Sequence, residues 1–175
     1  MAHTTQSSAT FFQIEAWVGS DLGQVRKKNE DNYLVDALNG LFIVADGMGG
    51  GVEGERASRR AIETFSATLY NERDTVRLMA GGLDGEVREK ISDLMRSAIH
   101  AANQEILQIR RSIGPDVSMG TTISAMLIQG NHGVIAHVGD SRIYRVRYRD
   151  LAQVTEDHSL VAQQIRDGYI TPEQA

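Results

Sequence analysis

Two long stretches with a helical repeat stand next to each other in the chain, and this order limits the folds that the chain can adopt. Apolar residues recur every three or four positions at 53–70 and at 85–111, which predicts two amphipathic helices. Short β-like runs precede them at 13–19, 33–36 and 41–46, and the runs TTISAMLIQ, GVIAHVGD and SRIYRVRY follow as a predicted meander. A parallel fold would alternate strands and helices throughout, so the order predicts an α+β fold with antiparallel strands.

The rest of the pattern predicts a single domain. The chain has 175 residues, 41% of them hydrophobic, which suffices for one core, and it shows no internal repeat or linker. We expect residues 1–12 to form a flexible N-terminal tail and residues 13–175 to form the domain. Residues 71–85 are polar and glycine-rich and predict a surface connection, whereas residues 159–167 predict a short helix.

The composition excludes several classes of protein. The formal net charge is −5, and the basic clusters at 26–28 and 142–149 are not interleaved with aromatic residues in a stacking pattern, which argues against nucleic-acid binding. The absence of cysteine excludes disulfides, thiol nucleophiles and zinc–thiolate sites. No run approaches the roughly 20 apolar residues of a membrane span, and the polar N-terminus lacks the features of a secretory signal. We therefore expect a cytoplasmic protein without a membrane or nucleic-acid partner.

The stretch IVADGMGGGVEG, residues 43–54, ends an apolar run on Asp46 and continues as a glycine-rich loop. Residues 49–54 match the G-x-G-x-x-G pattern of dinucleotide-binding sites, and Glu72 lies near the distance expected of the ribose-binding acid. However, the Asp46 carboxylate would repel a phosphate unless a cation lay between them. The strand–helix alternation of a doubly wound sheet is also missing. The loop therefore favours an acidic metal site over a nucleotide site.

A metal site requires more oxygen ligands than Asp46 alone. Mg²⁺ and Mn²⁺ take six oxygen ligands, usually carboxylates, a backbone carbonyl and water. Glu30, Asp31 and Asp140 each stand at the edge of a β-like run, where strand ends of one sheet can converge. Taken singly, Asp46-Gly47 and Gly139-Asp140 are more often structural turns than ligands, so their joint occurrence carries the hypothesis.

Five segments taken together resemble a known family: SDLGQVRKKNEDN (20–32), FIVADGMGGGVEGERAS (42–58), MGTT (119–122), HVGDSRIYR (137–145) and TEDHSLV (155–161). In this order they closely resemble the metal-dependent protein phosphatases of the type 2C family, and within it the bacterial branch. The resemblance covers residues 15–175. It implies an α-β-β-α sandwich, in which two antiparallel β-sheets are flanked by helices and a two-metal centre lies at one end.

The resemblance also implies a role for individual residues. Asp46 matches the carboxylate that bridges both metals, and Gly47 matches the residue whose backbone carbonyl is a metal ligand. Asp31, with Glu30 beside it, matches the acidic pair that orients water at the metals. Arg26 matches the arginine that binds the substrate phosphate, for which its bidentate guanidinium is suited. Asp140 matches the ligand of a third, weaker metal.

A function follows from the resemblance. It implies a protein serine/threonine phosphatase that uses two Mg²⁺ or Mn²⁺ ions, with a third in some relatives, to activate a water for in-line attack on phosphorus. The expected substrates are proteins phosphorylated on serine or threonine, and the expected counterpart is a Ser/Thr kinase. The complete protein is expected to be a monomer. The choice between Mg²⁺ and Mn²⁺ stays open.

The chain departs from the family in two respects. The family supplies two further metal aspartates from an S-D-G motif and a D-N motif in its C-terminal third, and this chain stops before both. The helix start predicted at 171–174 is followed by a single residue, so we expect a C-terminally incomplete domain with little activity of its own. The alternative is a non-catalytic, phosphatase-like binding module. His158 is the histidine to test as a general acid, whereas His137 is more typical of a structural role.

Overall fold

The computed structural model describes residues 13–50 and 52–175; the tail predicted at 1–12 and Gly51 of the glycine loop lie outside the described residues. The strands are β1 (Asp31–Asp36), β2 (Leu41–Met48), β3 (Gly120–Thr121), β4 (Ile123–Gln129), β5 (His132–Val138), β6 (Tyr144–Arg147) and β7 (Asp150–Gln153). The helices are α1 (Val52–Asn71), α2 (Arg73–Arg77), α3 (Gly85–Ile113) and α4 (Leu160–Arg166), with 3-10 turns at Leu78–Gly81 and Pro172–Gln174.

The strands form two antiparallel sheets, so the predicted α+β class is confirmed. In the larger sheet the order is β1-β2-β4-β5, and β3 pairs with the end of β2. Strands β6 and β7 form a separate two-stranded sheet. Pairing of β1 with β2 places Asp31 directly opposite Asp46, at the end of β2 from which the glycine loop leaves.

Helices α1 and α3 cover one face of the larger sheet. Along β2, Leu41, Ile43 and Ala45 are buried and alternate with more accessible residues, as expected of a strand with one face in the core. The helices contribute fully buried residues such as Phe65 and Ile91 to the same core. Burial of each large side chain stabilises the fold by roughly 1.5–3 kcal/mol relative to exposure, so this layer fixes the position of β2.

Two predictions about individual segments are wrong, and a third is confirmed. Residues 13–20 carry no regular secondary structure, because no strand in the described part of the chain hydrogen-bonds to them. The connection predicted at 71–85 contains α2 and a 3-10 turn, and it contributes the buried side chains of Val76 and Met79 to the core. The helix start predicted at Thr171 is confirmed as a 3-10 turn with a capping box.

The predicted meander is correct for β4 and β5 but not for the run SRIYRVRY. The chain leaves the larger sheet at Gly139, whose φ of 115° suits glycine, and β6 then pairs with β7, which the pattern did not predict. Tyr148 and Arg149 form the two-residue turn between them with φ of 51° and 75°. Such turns are normally signalled by Asn-Gly or Asp-Gly, so Tyr-Arg gave no indication of a hairpin.

Within residues 13–50 and 52–175, no helix is both long enough and apolar enough to cross a bilayer.

Gly40, in the turn between β1 and β2, lies close to the backbone of Ile128 in β4. Its carbonyl accepts from the Ile128 amide at 2.8 Å, and its φ is 66°. A Cβ atom there would collide with the Ile128 carbonyl oxygen. Gly130 also has a positive φ, of 56°, but a Cβ there would meet nothing within 4 Å.

We expect Gly40→Ala to lower the free energy of unfolding more than Gly130→Ala. Gly130→Ala, the control, should lose about 1–2 kcal/mol, which is the cost of a left-handed backbone conformation. Gly40→Ala should lose roughly 1–3 kcal/mol more, because the new methyl group overpacks the site. Urea denaturation followed by circular dichroism measures both values. Equal losses would show that the contact with Ile128 relaxes without cost.

Candidate metal and phosphate site

The candidate site lies at the edge of the larger sheet, where β1 begins and β2 ends. Asp31 and Asp46 are opposed in the register of these strands, and antiparallel pairing therefore points both carboxylates to the same face. A cavity of about 240 Å³ is lined by both aspartates, by Ser141 and by residues 18–20. The face is the one opposite the helices, because the core side of β2 is formed by Leu41, Ile43 and Ala45.

The main chain of Asp46 is held by two threonines. Its amide donates to Thr122 Oγ1 at 3.0 Å, and its carbonyl accepts from the Thr122 amide and from Thr121 Oγ1, both at 2.9 Å. Thr122 Oγ1 in turn lies 2.7 Å from Ser141 Oγ. Because these bonds satisfy the backbone, the side chain of Asp46 is placed by the sheet and not by a mobile loop.

Several charged groups act on the Asp46 carboxyl group. Partial removal from water is the largest cause that raises its pKa, followed by the charge of Asp31 and a hydrogen bond with that residue, and then by the charge of Asp140. The charge of Arg26 acts in the opposite direction. The structure thus brings three further residues predicted for the site, Arg26, Asp31 and Asp140, within electrostatic reach of Asp46.

Glu30 enters the site through its main chain, and its carboxylate packs against α1. Its carbonyl accepts from the Gly47 amide at 3.2 Å and from Ser58 Oγ at 2.5 Å. The Glu30 carboxylate lies against the first turn of α1, where a Cβ at Gly54 would collide with it. A Cβ at Gly47 would lie 2.6 Å from the Glu30 carbonyl oxygen, so glycine is required for this close packing.

The loop that carries Asp140 is fixed by the segment at 155–158. The Gly139 amide donates to His158 Nδ1 at 3.3 Å, and the His158 amide donates to the Gly139 carbonyl at 2.8 Å. Two residues further on, the Arg142 guanidinium binds both oxygens of Asp157 at 2.6–3.1 Å. These contacts hold the chain on both sides of Asp140.

His137 connects the same segment to the sheet. Its Nδ1 lies 2.8 Å from Ser124 Oγ, its Nε2 lies 3.1 Å from the Glu156 carbonyl oxygen, and its ring centre is 5.1 Å from that of His158. Both ring nitrogens of His137 therefore have partners inside the fold, which agrees with the structural role predicted for it. His158 uses Nδ1 to orient the loop before Asp140.

The carboxylates fit a divalent cation only in part. Removal from water and, after it, the charges of Asp31 and Asp140 raise the pKa of Asp46, and a nearby cation would offset these effects. Yet no three His, Asp or Glu side chains of residues 13–50 and 52–175 converge closely enough to form a complete metal site. Asp46, Asp140 and the Gly47 carbonyl can supply some ligands, and Asp31 can orient water beside them.

Thr122 and Ser58 are positioning residues that the sequence interpretation did not identify. Thr122 belongs to the MGTT segment, in which the sequence pattern indicates no role for it. It binds both the amide and the carbonyl of Asp46. Ser58 binds the Glu30 carbonyl, and it also accepts from Asn32 Nδ2 at 2.9 Å. A small polar residue on the buried face of a predicted helix was the only signal available for Ser58.

Comparisons with known proteins identify the family of this chain. The family model described as "Protein phosphatase 2C" matches residues 19–167. The serine/threonine phosphatase stp of Listeria monocytogenes is 37% identical over 159 residues, which cover 89% of this chain and 59% of the relative. The chain therefore spans about three fifths of the length of such relatives.

Solved structures give the same result. The crystal structure of the Mycobacterium tuberculosis serine/threonine phosphatase PstP/Ppp has a TM-score of 0.69 and 36% identity, covering 89% of this chain and 59% of that one. A structure of the PstP catalytic domain in complex with two manganese ions has a TM-score of 0.65 and 37% identity, covering 89% of this chain and 60% of that one. From the family model, the relatives and these structures it follows that the chain belongs to the protein phosphatase 2C family.

Proposed function

We propose that this chain forms the N-terminal and central part of a metal-dependent protein serine/threonine phosphatase. The observation that carries the proposal is the grouping of Asp31, Asp46 and Asp140 with Arg26 at one sheet edge, next to a cavity. Three carboxylates that repel one another are suited to cations, and an arginine beside them is suited to a phosphate. The relatives named as serine/threonine phosphatases support the same activity.

Each residue has a separate task in the proposed reaction. When bound, two Mg²⁺ or Mn²⁺ ions would supply an activated water and neutralise charge on the phosphoryl group. Asp46 and the Gly47 carbonyl hold the cations, while Asp31 orients water on the face opposite the helices. Arg26 binds two phosphate oxygens and aligns the phosphoryl group for in-line attack. Asp140 would serve a third, weaker ion.

The proposed substrates are proteins that carry phosphoserine or phosphothreonine, placed there by a Ser/Thr kinase that this protein opposes. The cavity beside Asp46 is open to solvent on the sheet face and is bordered by the exposed stretch 18–20, so a phosphorylated side chain can approach it from outside. The manganese ions of the PstP structure support a divalent cation as the cofactor.

A second candidate is a non-catalytic module that binds a phosphoprotein. It is favoured by the observation that the described part of the chain does not form a complete cluster of acidic or histidine ligands. The two candidates differ in one measurement. Mn²⁺-dependent hydrolysis of a phosphothreonine peptide by the full-length gene product supports the enzyme, whereas binding of the peptide without turnover in saturating Mn²⁺ supports the module.

Asp46→Asn should abolish the strongest Mn²⁺ binding and reduce phosphatase activity by about a thousandfold, because the carboxylate that would hold the cations is lost. In the unaltered protein, protons compete with the cation, so Mn²⁺ affinity should fall as the pH falls through the raised pKa of Asp46. Calorimetric titration at several pH values measures both effects. Asp116→Asn, at an exposed loop position, is the control. Unchanged Mn²⁺ affinity in Asp46→Asn would contradict the assignment.

Arg26→Ala should lower kcat/KM for a phosphothreonine peptide by about a hundredfold, because a charge-assisted pair with the phosphate is lost. Arg26→Lys should restore only part of the loss, since an ammonium group cannot bind two oxygens in one plane. Steady-state kinetics measure the change, and Lys27→Ala, which alters the neighbouring cation, should stay within about twofold of the parent. Equal losses at residues 26 and 27 would indicate general electrostatic attraction instead.

His158→Ala should weaken binding of the most weakly held Mn²⁺ ion and leave the pH profile of kcat/KM unchanged. The reason is that His158 Nδ1 accepts a hydrogen bond from the Gly139 amide, next to Asp140. We therefore expect His158 to position the Asp140 loop and not to transfer a proton to the leaving group. Electron paramagnetic resonance counts the bound Mn²⁺, and His100→Ala, on an exposed face of α3, is the control. Loss of the basic limb of the pH profile in His158→Ala would instead identify this histidine as the general acid.

A further inference from the structure

A second cavity, of about 230 Å³, lies at the opposite end of β2 from the candidate site. Leu41, the first residue of β2, lines this cavity, whereas Asp46 lines the other one. Asp46 lies five positions after Leu41 in an extended strand, or about 17 Å away at roughly 3.4 Å per residue. The cavity is therefore distinct from the candidate metal and phosphate site.

The inner wall of this cavity is apolar. Leu41 and Leu127 from the sheet, Leu69 from the end of α1 and Val76 from α2 all line it, and each is at most 9% exposed. These side chains belong to the main core, so the wall is held in place by the packing of helices on the sheet. An apolar part of a ligand would here replace water against a preformed surface.

The charged residues that line the cavity are both arginines, Arg73 and Arg77; the other lining residues are uncharged. The guanidinium of Arg73 lies 5.7 Å from the centre of the Tyr70 ring and forms no ion pair with the described carboxylates. Arg77 lies 3.4 Å from Asp74, but the two side chains are 74% and 99% exposed, so that pair is weak. The lining therefore carries two positive charges without a strong partner.

The nearby Asp36 forms no ion pair with these arginines. Its carboxylate accepts from the Tyr70 hydroxyl at 2.5 Å, from the Asn39 amide at 3.1 Å and from Asn39 Nδ2 at 2.7 Å. Removal from water and the hydrogen bond to Asp36 raise the pKa of Tyr70 to about 12, so the hydroxyl stays protonated and continues to donate. The Asp36 carboxylate is thus committed to residues of its own turn and of α1.

We propose that this cavity binds a small organic anion with a short apolar body and one carboxylate or phosphate group. The apolar body would lie on the leucine wall, and the anionic group would lie between the guanidinium groups of Arg73 and Arg77, which bind either kind of oxyanion. The volume is below the roughly 300–1,000 Å³ of drug-sized sites, so the ligand is small. The proposal does not depend on the phosphatase activity.

The test is a titration of the ¹⁵N-labelled protein, followed by NMR, with four probes. Hexanoate and hexyl phosphate combine both features, hexanol has only the apolar body, and inorganic phosphate has only the charge. We expect shifts at 38–41 and 69–77 with both hexyl anions, a dissociation constant of about 1 mM for the better one, and at least tenfold weaker binding of hexanol and inorganic phosphate. The preferred anion distinguishes a carboxylate from a phosphate ligand.

Variants test the role of the arginines. Arg73→Gln and Arg77→Gln should each weaken binding of the preferred anion about tenfold and leave hexanol binding unchanged. Arg96→Gln, an exposed arginine of α3 that pairs with Asp93, is the matched control. The proposal is overturned if the hexyl anions cause no shift up to about 20 mM, if their shifts centre on Asp46, or if the three variants bind them equally.

Discussion

The pairing of β2 with β1 and β4 is the constraint on which the candidate site depends. One face of β2 is buried under α1 and α3, which fixes the register of its neighbours, because a shift by one residue would expose the buried face. The same register places Asp31 opposite Asp46, and β3 brings Thr121 to the last residues of β2. The hydrophobic core therefore sets the distances between groups that do not themselves belong to the core.

The carboxylates of the candidate site repel one another, and the rest of the fold must offset this unfavourable energy. Asp31 and Asp140 disfavour the ionised form of Asp46, and Arg26 compensates for only part of their effect. Such an arrangement is unfavourable without a cation. It is favourable when a cation binds, because the positive charge attracts all of the carboxylates. The backbone bonds from Thr122 hold the main chain of Asp46 in this position, which fixes where its side chain begins.

The sequence predicted the long helices and β2 well, because their apolar periods are long and regular and the core decides their orientation. It predicted the residues that meet at the sheet edge only through the combination of several motifs, since residues as far apart as Arg26 and Asp140 carry no local signal of proximity. It failed at β7, which depends on a hairpin turn formed by Tyr148 and Arg149 without glycine or asparagine. It also missed Thr122 and Ser58, whose roles arise from backbone contacts across the fold.

The glycine loop shows why a matching pattern and a matching function can differ. In a dinucleotide site, amides of the loop donate to phosphate oxygens. Here the Gly47 amide already donates to the Glu30 carbonyl, and the space beside Gly54 is taken by the Glu30 carboxylate. These glycines thus provide room for an acidic segment to approach β2 and α1, and a negatively charged phosphate would meet Asp46 at the end of the strand. This arrangement is consistent with the proposal that Arg26 and cations, and not the loop amides, bind the phosphate.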